Sequence, residues 1–63
     1  MKARLIPGET VTLFQPLDTE ARQWIASSAP SDAQFLGESM AVAPRYVNGV
    51  VAAFETEGGE LVA

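Results

Sequence analysis

Cysteine and histidine are both missing from this chain of 63 residues. Without cysteine there is neither a disulfide framework nor a thiolate metal site. Without histidine the usual zinc and copper ligand is gone, and with it the side chain that moves protons near neutral pH. Basic residues are scarce as well: four Lys and Arg stand against eight Asp and Glu, a net charge of −4. That balance opposes general affinity for phosphate backbones, which depends on Lys and Arg, and it suits a basic protein partner. No apolar run approaches the roughly 20 residues of a membrane span. The opening stretch MKARLIPG has the charge but not the apolar segment of a secretory signal, so a cytoplasmic setting is expected. Neither a G-x-G-x-x-G nor a P-loop pattern occurs, and no cofactor is expected.

What is present is the composition of a folded domain, 48% apolar and 19% charged, at a length where one core only just suffices. A single small α+β domain over residues 1–63 is predicted. KARLI and TVTLF favour strands and are separated by Pro7-Gly8, a pair suited to a type II turn. Because type II turns splay strands, a hairpin between the two is not assumed. LDTEARQWIASSA is a helix capped by Asp18 or Thr19, with Glu20 at its positive end and Pro30 setting its stop. Asp18 and Arg22 stand four apart in the favourable order for an ion pair, and Leu17, Ala21, Trp24, Ile25 and Ser28 share one face. MAVA is a strand, and AQFL either turns back onto it through Gly37-Glu38 or leads into it irregularly; the hairpin is preferred. Pro44 opens a second helix at the position where its missing N–H costs nothing. Tyr46, Val47, Val50, Val51 and Phe54 then form an apolar stripe, and Gly58-Gly59 stops the helix before ELVA. The expected architecture is a sheet of three to four strands with two helices on one face, in β-α-β-β-α-β order as in split-βαβ folds. Trp24, Ile25, Val47, Val50, Val51 and Phe54 are its predicted core.

The reactive inventory is short. Ser27, Ser28, Ser31 and Ser39 lack a histidine to activate them, and so small a chain hardly encloses a ligand-sized pocket. No catalytic residue is assigned and an enzyme is not expected. Glu55, Glu57 and Glu60 surround the Gly-Gly turn and could offer oxygen ligands to a hard cation, although their spacing matches no EF-hand loop; no metal site is assigned. Lys2, Arg4 and Arg45 make a basic edge for single-stranded nucleic acid only if folding brings them together.

Two local conflicts point instead to protein binding. Gly49 sits inside a helix, where it costs about 1 kcal/mol relative to Ala. It lines up with Ala53 and lies beside Ala52, a strip of small residues that packs tightly within the molecule, receives a partner, or is merely tolerated. Glu55 and Glu57 stand near a helix C-terminus, where acids oppose the macrodipole. With Glu60 they form an acidic knob, which either serves solubility or meets Arg or Lys on another protein. Charge is uneven too: up to Ser31, Lys2, Arg4 and Arg22 balance Glu9, Asp18 and Glu20. Beyond it, Arg45 stands alone against Asp32, Glu38, Glu55, Glu57 and Glu60. The candidate partner-binding residues are therefore Glu55, Glu57, Glu60, Gly49, Ala52 and Ala53.

The run TEARQWI … DAQFLGESMAVAPRYVNGVVAAFETEGGEL resembles a group of small uncharacterised phage- or plasmid-borne bacterial proteins with an EARxW helix, a DAQ…G segment and a V…RYV helix. Glu20, Ala21, Arg22, Trp24, Asp32, Ala33, Gln34, Gly37, Arg45, Tyr46 and Val47 carry the likeness, which covers about the last two-thirds of the chain. It implies a mobile-element setting and no particular activity. In overall character such proteins are similar to inhibitors of host defence nucleases, including anti-CRISPR proteins, which often occupy basic nucleic-acid-binding surfaces. The expectation is thus a non-enzymatic module that binds a basic host protein surface. Alternatives are a self-associating structural or accessory phage protein, as a homodimer, and a weak single-stranded nucleic-acid binder.

Overall fold

The computed structural model describes residues 1–62 and is an α+β domain built on one mixed sheet. In chain order it contains β1 (Lys2–Pro7), β2 (Thr12–Pro16), α1 (Thr19–Ser28), β3 (Gln34–Leu36), β4 (Ser39–Val42), a 3₁₀ turn (Pro44–Tyr46), α2 (Val47–Thr56) and β5 (Glu60–Leu61). The five strands lie in the order β3-β4-β2-β1-β5. All neighbours are antiparallel except β1 and β5, which run parallel with Lys2 opposite Glu60 and Ala3 opposite Leu61.

Strand number and order thus differ from the β-α-β-β-α-β expectation. The first reason is the β1–β2 hairpin, which does form, with Ala3 opposite Pro16 through Pro7 opposite Thr12. Gly8 through Val11 all lie in the connection. A loop of that length is not bound by the twist rule that makes a two-residue type II turn splay its strands. The second reason is β5, a two-residue strand held to the far end of the chain. The Glu60 N–H donates to the Met1 carbonyl at 2.9 Å and the Val62 N–H to that of Ala3 at 2.8 Å.

The β3–β4 hairpin forms as expected, with Gln34 opposite Ala41 and Leu36 opposite Ser39. Gly37 has φ +62°, the first position of a tight II′ hairpin turn, which only glycine enters without strain.

One face of the sheet carries both helices. Alternation along the strands puts Ala3 and Leu5, Phe14, and Met40 and Val42 on that face. Phe14, fully buried, sits beneath both helices: its ring centroid lies 6.1 Å from that of Trp24 in α1 and 5.0 Å from that of Phe54 in α2. Trp24 and Phe54 complete the cluster edge-on at 5.2 Å. Tilted and edge-to-face pairs of this kind add about 0.5–1.5 kcal/mol each beyond the area they bury. Ala3, Phe14, Ala21, Ile25, Met40, Val42 and Phe54 make the buried core. The predicted anchors Trp24, Val47, Val50 and Val51 are only half-buried around it.

Asp18 caps α1 by accepting from the Ala21 N–H at 2.8 Å, and it also accepts from the Lys2 N–H at 3.0 Å, joining the helix start to β1. These backbone donors hold its carboxyl below the usual carboxylate range. Arg22 therefore does not pair with Asp18 as its spacing suggested. It turns to Glu38 in the β3–β4 turn, at 3.2 Å, and donates to the Thr19 hydroxyl at 3.1 Å.

Candidate functional site

The region around α2 gathers the residues that sequence reasoning singled out. Pro44 opens the helical run with Ala43 as its N-cap, so the chain leaves β4 and turns at once into the helix layer. At the other end the Gly58 N–H donates to the Glu55 carbonyl at 3.0 Å and the Gly59 N–H to that of Phe54 at 2.9 Å, the paired bonds of a Schellman stop. Gly58 takes φ +90° there. Gly59 is needed for space instead, because a Cβ on it would overlap the Phe54 ring. The backbone is laid directly on the most buried aromatic of the helix, and that contact steers the chain into β5.

Between these ends α2 buries only Phe54 fully, and it packs Val47 and Val50, half-buried, against the same core. It does not pack along α1, and Val47, Val50 and Val51 stay half-exposed. The space between the two helices is an open groove of about 550 Å³ floored by Met40 and Val42, with Trp24 and Ala29 on the α1 side and Gly49 and Ala53 on the α2 side. That volume falls in the range of ligand sites, which corrects the expectation that so short a chain has no such cavity. The Trp24–Phe54 ring pair stands where the helices meet. Toward the end of α1 the groove opens between Pro30 and Asp32 on one side and Tyr46 on the other. The surface is overwhelmingly apolar, and no buried side-chain polar atom among the described residues lacks a partner. A groove so lined offers burial to apolar groups and little to polar ones.

Gly49 lies in this wall. A Cβ there would meet nothing within 4 Å, and its φ is not in the left-handed region. Tight packing inside the molecule, one of the three explanations its position allowed, is thereby removed, which leaves a partner or a glycine that is simply tolerated. Ala53 lines the groove one turn on. Ala52 is exposed but is not part of the lining.

Glu55, Glu57 and Glu60 are all exposed, and among the described residues none forms an ion pair. Glu57 is the C-cap of α2 and continues the Gly49–Ala53 spacing, so it stands where the groove wall ends. Glu20 lies nearby, 3.5 Å from the Met1 ammonium. The acids do not converge into a chelating cluster: no group of three or more among the described residues could hold a metal ion. Nor do the cations converge. Lys2 and Arg4 alternate with the buried Ala3 and so point from β1 to the helix-free face. Arg45 instead rests over the Tyr46 ring in the helix layer, 4.9 Å from its centroid.

Sequence reasoning missed the groove itself, together with Asp32 at its mouth and Met40 and Val42 on its floor. The small-residue strip of Gly49 and Ala53 was the sequence signal that bore on it. No helix among the described residues is long and apolar enough to cross a membrane. No family model, curated protein or solved structure matches the chain.

Proposed function

We propose that this chain is a non-enzymatic protein-binding module whose partner presents a basic surface, and that it docks through Gly49 and Ala53 on the groove wall together with the glutamates around the C-terminal end of α2, of which Glu57 continues the Gly49–Ala53 side and Glu55 lies on the opposite one. The observation that carries this reading is Gly49, a helix-interior glycine with open space above it, on the wall of an apolar groove. Such a residue costs stability and returns nothing inside the fold, and a local rule broken without internal compensation points to function. The acids agree with it. Glu55, Glu57 and Glu60 are unpaired beside a helix C-terminus whose carbonyls already carry negative potential, so a cationic surface gains from both. An inhibitor that covers a nucleic-acid-binding surface of a host protein is the concrete form, and it draws support from the resemblance to mobile-element proteins and from the acidity of the second half.

Pull-down from a host lysate tests the reading with three proteins: the wild type, a triple Glu→Gln variant at Glu55, Glu57 and Glu60, and Gly49→Phe. A partner held by the wild type and lost by both variants supports it. Equal recovery by all three refutes it.

Self-association is the second reading, and the helix-free face of the sheet favours it. Ile6, Leu13 and Leu36 project there, with Leu36 69% and Ile6 38% exposed. Sedimentation at micromolar concentration decides: a clean monomer removes this reading.

A further inference from the structure

Resting on the protein-binding reading above, we infer that the groove between α1 and α2 receives an amphipathic helix of the partner, its apolar stripe in the groove and its cationic residues against Glu57 and Asp32. The chemistry of the walls selects a helix. The walls are formed largely by two helices, whose interior backbone N–H and C=O groups are already paired, and the side chains present are mostly apolar. An extended segment laid here would leave its own backbone groups without partners in an apolar environment, which is costly. A helix satisfies its backbone internally and brings only side chains.

The relief of the groove fits the same occupant. Gly49 and Ala53 are four residues apart on α2, and Ser28 and Ala29 at the end of α1 line the same groove beside the larger Trp24, Ile25 and Val50, so part of each wall is low. Helices approach to about 8–10 Å when the ridge of one enters such a trough. A whole helix, about 10–12 Å across with its side chains, does not sink into about 550 Å³; one apolar stripe does.

Charge fixes the kind of helix. Asp32 lies at the mouth and Glu57 at the end of the α2 wall, with no ion pair to either among the described residues. Arg45, the only cation of the second half of the chain, is occupied by the Tyr46 ring. A docked helix with acidic flanks meets repulsion at these positions, and one with Lys or Arg flanks meets attraction.

Three tryptophan-free synthetic peptides of about 15 residues test the inference: a Leu/Ala-faced helix flanked by lysines, the same face flanked by glutamates, and the lysine peptide broken by a central proline. Trp24 is the only tryptophan of the chain and lines the groove, so its emission and the amide shifts of Gly49 and Ala53 report binding in place. The lysine helix is expected to shift all three signals saturably, the glutamate helix to bind at least tenfold more weakly, the proline peptide not to saturate, and Gly49→Phe to abolish the response. Equal binding of the proline-broken and intact peptides overturns the helix, and equal binding of both charge forms overturns the acidic selection. No response to any peptide, while an uncharged aromatic small molecule saturates the same signals, assigns the groove to small ligands and overturns the inference as well. A lysate partner that is lost with the triple Glu→Gln variant but kept by Gly49→Phe refutes the groove as the dock and leaves partner binding through the acids standing.

Discussion

Gly49→Ala is the perturbation whose outcome reaches furthest. Alanine adds one methyl group to the wall of the groove, where nothing lies within 4 Å of it, at a backbone angle alanine adopts freely. The gain in helix propensity is therefore not offset by a clash, and stability should rise by about 0.5–1 kcal/mol. For 63 residues at about 2.1 cal/mol/K per residue, the entropy of unfolding is about 0.13 kcal/mol/K. The midpoint should accordingly rise by roughly 4–8 °C. Ala52→Gly is the mirror experiment, since Ala52 is exposed in the same helix; it should lose about the same amount.

Thermal and urea unfolding followed by far-UV circular dichroism measures both. A stabilised Gly49→Ala with an unchanged urea m-value confirms that stability has risen without a change in the surface exposed on unfolding. A destabilised Gly49→Ala refutes the reasoning, because it means that the glycine meets something its surroundings do not show. If the variant is stabilised and captures its partner as well as the wild type, glycine at this position does not serve docking, and the functional argument loses its central observation.

Gly59→Ala should behave in the opposite way. Its methyl group would run into the Phe54 ring, so about 1–3 kcal/mol is lost to overpacking, read as a lower unfolding midpoint. Phe14→Ala removes the ring shared by both helices and should cost about 3–5 kcal/mol, enough to leave a domain of this size largely unfolded by circular dichroism at 25 °C. Asp18→Ala removes an N-cap and should lower the unfolding midpoint near neutral pH. Because the folded pKa of Asp18 lies below its unfolded value, that contribution is complete above about pH 4 and is lost as the pH falls through the folded pKa. Wild type and variant should therefore converge in acid, and a constant gap across the range refutes the assignment.

Elements with local punctuation were legible in the sequence. Asp18 and Pro30 bounded α1, Gly37 turned β3 onto β4, and Pro44 and Gly58 bounded the second helical run. Those signals act within a few residues, where turn and cap chemistry decides the backbone. The β1–β2 hairpin was not legible because Pro7-Gly8 resembles a complete turn, and only the register shows that the connection continues to Val11. The pairing of β5 with β1 joins the two ends of the chain and leaves no local trace in a strand of two residues. Phe14 escaped the predicted core because alternation in TVTLF assigns two faces without saying which one is covered. Gly49 and the glutamates were visible as conflicts between residue and position, but the groove was not. A cavity comes from the spacing between elements, which no single segment encodes.

That spacing follows from how little the chain has to bury. Three aromatic rings close the helix layer where Trp24 meets Phe54, and the Gly59 backbone lies on the last of them. Elsewhere the lining mixes Ile25, Val50 and Tyr46 with small residues, Ser28, Ala29, Gly49 and Ala53. Larger side chains at these positions would fill the gap and add about 25 cal/mol for each Å² of apolar surface removed from water. A domain near the lower limit of size has every thermodynamic reason to close such a gap. This one instead keeps the gap open with glycine and alanine, rests its stability on the aromatic end, and leaves its unpaired acids at the rim. On the proposed reading, the partner's helix supplies the apolar burial that the groove forgoes within the fold.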